Sequence, residues 1–185
     1  RFGLEWNTAI QMSPLSRVQQ TLERPGALWM AEFVVPPLTV AADVALWKSF
    51  MVKLRGRAGT FSAGDPAYTG ARGTAGGTPL VNGASQTGRA LITDAWTAGA
   101  TFLEGDYFQV GNNLHIMVED VTASGAGAAT LVFDPPLRSS PADNAAVTKS
   151  SPKGLWRLAS DREAMWDEEV GVIFGFRFNA HEALE

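Results

Sequence analysis

The segment Ala27-Leu28-Trp29-Met30-Ala31-Glu32-Phe33-Val34-Val35 carries the period-two pattern of a β-strand, and Pro36-Pro37 closes it. Trp29, Ala31, Phe33 and Val35 share one face. Leu28, Met30 and Val34 share the other, interrupted by Glu32. A strand apolar on both faces is expected to be central or sandwiched between layers. Before it, Arg24-Pro25-Gly26 reads as a turn.

After the prolines the period changes. Thr39 is placed to cap a helix, and Val40, Val44, Trp47, Met51 and Leu54 recur at helical spacing. The pattern predicts an amphipathic helix over about residues 40–55, ended by Gly56 at the position that favours glycine. Near the other end, Val170, Val172, Phe174, Phe176 and Phe178 alternate as a half-buried strand does. That ridge needs a partner layer, and the stripe of the 40–55 helix is the natural one. Residues 1–60 and 152–185 are therefore expected to form one domain. Phe2–Trp6 reads as its first strand, Ser13-Pro14 as a break, Leu155–Leu158 as a strand and Asp161–Trp166 as a short helical turn.

Between these ends, residues 59–88 hold eight glycines with Pro66 and Pro79. They read as a long loop, and long loops inside small domains tend to be functional. Residues 61–88 are taken as a Gly-rich assembly arm, expected to be poorly ordered in an isolated subunit. Residues 89–151 read as an inserted small antiparallel β-barrel. Its strands fall near 89–93, 107–110, 114–118, 129–133 and 145–149, with Asp94-Ala95-Trp96 leading to a turn and Gly111-Asn112-Asn113 as a hairpin signal. The expected class is mainly β with one flanking α-helix.

Composition narrows the chemistry. The chain has 185 residues, 19 Gly, 10 Pro and no Cys. Helical bundles, disulfide frameworks and thiolate chemistry are excluded. A net charge of −4 and a pI near 5.2 oppose tight nucleic-acid binding through a basic surface. No apolar run reaches the roughly 20 residues of a membrane helix. The N-terminus lacks a signal-peptide pattern and an initiator Met, so the chain is expected to be trimmed.

No nucleotide cradle is present: the glycines at 59–88 lack a following Lys-Ser/Thr. His115 and His181 read as structural, and no Gly-x-Ser-x-Gly elbow accompanies them. Asp161, Glu163, Asp167, Glu168 and Glu169 read as a solvated acidic face rather than a cation loop. Lys53, Arg55 and Arg57 read as a basic helix C-terminus, where cations suit the helix dipole. Trp29, Trp47 and Trp156 read as core, leaving Trp96 and Trp166 in looser settings. No catalytic, metal or cofactor set is identified.

Several stretches are similar to a known group. They are Ser13-Pro14-Leu15-Ser16-Arg17, Gln20 to Trp29, Pro36-Pro37-Leu38, Leu54-Arg55-Gly56-Arg57-Ala58-Gly59 and Gly64-Asp65-Pro66. Gly77-Thr78-Pro79-Leu80-Val81, Gln86-Thr87-Gly88, Gly105-Asp106-Tyr107, Pro135-Pro136-Leu137-Arg138 and Pro141 to Val147 continue them. Together they resemble siphophage tail proteins, the distal tail family first and tail-tube or other tip subunits second.

The resemblance implies a tail-tube-like β-sandwich or split barrel with one helix. It implies a ring, usually a hexamer, that joins the tail tube protein to hub or baseplate proteins. It further implies that DNA passes through the lumen without specific binding and that the protein would belong to the virion tail, assembled in the host cytoplasm. Interface residues would be Lys53, Arg55 and Arg57 with Asp65, Pro66 and Tyr68 on the arm. Two other classes stay open. One is a carbohydrate-binding module presenting Trp96 or Tyr107 to a host glycan; the other is a wall-degrading hydrolase, for which no specific carboxylate pair stands out.

Overall fold

The structure, a computed structural model, describes residues 1–38, 40–166 and 175–184. In chain order the elements begin with β1 (Phe2–Met12), β2 (Gln19–Val35), α1 (Ala41–Leu54), β3 (Phe61–Ala63), β4 (Gly77–Val81) and β5 (Ala90–Trp96). Then come β6 (Thr101–Phe102), β7 (Tyr107–Val110), β8 (Asn113–Met117), β9 (Val121–Thr122) and β10 (Ala129–Asp134). The last are β11 (Val147–Thr148), β12 (Gly154–Leu158) and β13 (Phe176–Glu182). The protein is mainly β, with one α-helix among the described residues. The chain divides into two units: Arg1–Thr60 with Arg157–Glu182, and Phe61–Trp156 with Ala183–Glu185.

In the first unit β2 pairs antiparallel with β1 along one edge and with β13 along the other. Side chains alternate, so Trp29, Ala31 and Phe33 share a face with Phe176, Phe178 and Ala180. The helix stripe meets this ridge. Trp47 stacks on Phe176 at 5.9 Å and lies 6.4 Å from Phe178, while Met51 and Leu54 are buried. Each fully buried side chain of this kind contributes about 1.5–3 kcal/mol.

Three expectations need correction here. The far face of β2 is not sandwiched among the described residues, because Met30 and Val34 are exposed there. Arg24-Pro25-Gly26 is not a turn; it lies inside β2, where three residues oppose Trp6 at a register shift. Pro25 offers no N–H and Gly26 takes φ +110, which together absorb that irregularity. The helix is capped by Val40 without a side-chain bond, and Thr39 lies outside the described residues. Val170, Val172 and Phe174 lie outside them too; the strand seen runs on to Glu182.

In the second unit six strands follow the order β11-β7-β8-β10-β5-β4. A bridge between Leu80 and Ala146 brings the two ends of that order together, so the sheet is a nearly closed barrel. Its interior holds Val81, Leu91, Trp96, Phe102, Phe108, Met117, Leu131 and Phe133. β10 shows why: Ala129, Leu131 and Phe133 point in while Thr130 points out. β6 and β9 pair as a small separate ribbon, and β3 pairs with Gly154–Trp156.

The Gly-rich segment is therefore not one long loop. Phe61–Ala63 and Gly77–Val81 are strands, and the second is a barrel stave. The intervening residues are also tied down, for Thr74 N donates to Thr101 Oγ1 at 3.1 Å and Ala75 N to Thr101 O at 2.9 Å. Glycine is required by close approach: at Gly77, with φ +94, a Cβ would meet the Ala95 carbonyl oxygen at 2.5 Å.

Candidate functional site

The second unit brings four of the sequence-selected residues together. Asp65 accepts the Ala67 amide through its side chain at 2.9 Å and the Tyr68 amide through its carbonyl at 3.1 Å. That turn, with Pro66 at its first central position, sets Tyr68 against β7. The Tyr68 and Tyr107 rings meet edge to face at 5.1 Å, and the Tyr68 hydroxyl reaches the Tyr107 carbonyl at 3.5 Å. Both hydroxyls are pushed up to about 12. For Tyr107 burial is the main cause, followed by the Asp65 charge and a hydrogen bond to Asp65. For Tyr68 burial again leads, followed by the Asp106 charge.

Asp106 anchors the cluster. It is fully buried, and its two oxygens accept the Arg72 and Leu103 amides at 3.0 Å each. The Arg72 Nε stands 3.6 Å away, but that side chain is mostly exposed and the ion pair adds little. Both Asp106 carboxylate oxygens are engaged by backbone amides, and the arrangement fastens the 65–72 segment to the barrel rim.

Lys53, Arg55 and Arg57 lie in the first unit, all exposed. Lys53 sits in the last turn of α1, and Arg55 caps the helix with φ 52. Arg57 donates its amide to Asp161 Oδ1 at 2.9 Å. Asp161 is thus a structural acceptor. Glu163 is another, taking the Asn179 amide at 2.7 Å. Asp167, Glu168 and Glu169 lie outside the described residues. Among the described residues no group of three or more His, Asp or Glu could hold a metal ion. Nor is any helix of the described residues long and apolar enough to cross a membrane.

Trp96 is misplaced by the sequence reading. The strand runs through it, and the ring is buried in the barrel with Nε1 donating to Thr93 Oγ1 at 2.8 Å. It cannot stack on a sugar. Trp166 is half-buried beside Phe176. His115 is fully buried between Phe108 and Phe133, with Nδ1 2.8 Å from the Pro135 carbonyl. Its Nε2 has no hydrogen-bond partner. Desolvation lowers its pKa to about 4. His181 is also lowered, by partial burial and then by Arg57 and Arg157.

One surface escaped the sequence reading. The outer halves of β1 and β2 form a two-stranded ribbon, pairing from Asn7↔Arg24 to Met12↔Gln19. Its large apolar side chains are exposed: Ile10 63%, Leu22 59% and, at the tip, Leu15 98%. The available signal was the apolar spacing of Ala9, Leu22, Ile10 and Met12 without any matching core segment. No known protein family matches the chain, and no curated protein sequence matches it.

Proposed function

We propose that the chain is a structural subunit of a siphophage tail that assembles into a ring at its distal end. The exposed apolar ribbon is the observation that carries this reading, since an isolated two-stranded ribbon is marginal in water and needs cover. The stretches similar to tail proteins add support, and two of them, Ser13–Arg17 and Gln20–Trp29, fall on that ribbon and its root. In this reading about six copies form a closed ring, joining tail tube protein to hub or baseplate proteins. DNA transits the lumen without being held, which a net charge of −4 suits. The role is mechanical, without a catalytic step, cofactor or membrane contact, and the protein resides in the virion tail.

Lys53, Arg55 and Arg57 are exposed and available to a neighbouring subunit, as are the exposed Pro66 and half-buried Asp65 and Tyr68. The glycan-binding alternative loses Trp96 to the barrel core. The test is light scattering of the purified chain together with antibody labelling of phage particles. Rings and label at the tail tip are expected; a strictly monomeric chain absent from particles overturns the reading.

A further inference from the structure

We propose that the ribbon joins copies of this chain edge to edge, with β1 of one copy lying antiparallel against the outer edge of β2 in the next. The proposal deepens the ring reading above by naming the element and its partner, a second copy.

Four observations converge on it. First, no strand covers either edge of the ribbon among the described residues. β1 is the end of its sheet, and on the other side β13 pairs with β2 only from Met30 to Val35, short of the ribbon. Second, both faces carry apolar groups. Ile10 and Met12 lie on one face, paired with Thr21 and Gln19; Ala9 and Leu22 lie on the other. A ribbon covering a single core would show only one such face.

Third, the edge is unprotected. Asn7-Thr8-Ala9-Ile10-Gln11-Met12 contains no charge and no proline, the usual devices that keep a free strand from pairing. Fourth, the two edges fit each other. Asn7–Met12 and Gln19–Arg24 are both six residues long. Copies placed side by side in one orientation set β1 antiparallel to the neighbouring β2, continuing the same ladder over about 20 Å. The Glu23 and Arg24 charges then face a neutral strand, with no like-charge clash. Pro25 ends the new ladder because it cannot donate. A foreign strand would satisfy one edge and leave the other open. The second copy satisfies both, and the contact is head-to-tail, the kind that a ring repeats from copy to copy.

The chain has no cysteine, which makes cross-linking clean. Thr8→Cys and Ile10→Cys on β1 share a face with Thr21→Cys and Glu23→Cys on β2. Each variant is made singly in the full chain. Under mild oxidation, at concentrations where the unmodified chain assembles, a β1 variant mixed with a β2 variant should form disulfide-linked pairs at least tenfold faster than either alone. Equal or faster linkage within one variant overturns the head-to-tail arrangement.

As a second measurement, Ile10→Lys with Leu22→Lys should yield monomers by light scattering while the circular dichroism spectrum stays that of the parent. Parent-like assembly of that variant overturns the proposal and leaves the ring reading standing. Mixed cross-links in a chain missing from phage particles overturn the tail reading and leave this contact standing. A parent chain that never assembles overturns both.

Discussion

Asp106 Oδ1 accepts the backbone amide of Arg72 at 3.0 Å, fastening a segment 34 residues upstream to the barrel rim. Its other oxygen holds the Leu103 amide. Asp106→Ala strands both amides and should destabilise the chain by about 2–4 kcal/mol. Asp106→Asn keeps one acceptor and should lose about half as much. Urea unfolding measures both, and limited proteolysis of Asp106→Ala should show new cleavage near residues 69–76.

Tyr68 and Tyr107 are the only tyrosines in the chain. A spectrophotometric titration at 295 nm therefore reads this cluster alone. Both hydroxyls are held near 12 rather than 10, so the folded protein should show no absorbance step around pH 10. Unfolding restores the ordinary value. Between pH 10 and 12 the folded state then binds more protons than the unfolded one, and stability should fall as pH rises through that window. Asp65→Asn should move the Tyr107 step down.

His115 works in the opposite direction on the acid side. Its folded pKa of about 4 lies below the unfolded 6.5, so the unfolded state binds more protons between them. Its contribution is complete above pH 6.5 and is lost as pH falls toward 4, amounting to about 3 kcal/mol. His181 is shifted in the same direction and adds to the slope. Thermal melts of His115→Phe, whose ring would sit between Phe108 and Phe133, should show a flatter dependence on pH than the parent.

Gly77 and Gly83 separate conformational strain from steric collision. Both have positive φ, at +94 and +91. A Cβ at Gly77 meets backbone atoms of Ala95, Trp96 and Thr97, whereas at Gly83 nothing lies within 4 Å. Gly83→Ala should cost about 1 kcal/mol and Gly77→Ala clearly more, as read from denaturant midpoints.

Elements with a strong period were legible. The helix stripe from Val44 to Leu54 and the β7–β8 hairpin at Gly111-Asn112 follow from side-chain spacing and turn chemistry alone. The barrel stave Gly77–Val81 was hidden because Gly77 and Pro79 belong to the vocabulary of loops, and only pairing with β5 makes the segment a strand. Trp96 was misjudged because Asp94-Ala95 suggests a turn; in the structure Ala95 takes φ 59 and the strand continues. Asp65, Tyr68 and Tyr107 were each singled out, but nothing local announces that residues about 40 apart share one contact. The ribbon was missed for a related reason: alternation marks a strand without saying whether a core lies beneath it.

The pairing of Val35 with Phe176 has a consequence for synthesis. β2 emerges from the ribosome early, while β13 follows only after the whole of residues 61–156. At ordinary translation rates of about 5–20 residues per second, that interval lasts roughly 7–28 s. The barrel, whose strands are close in sequence, can close during that time. The first unit cannot, and until β13 emerges the edge of β2 from Met30 to Val35 that β13 covers awaits its partner strand. Encounters between neighbouring nascent chains on one message would then be decided by β1 and β2, before β13 has been made.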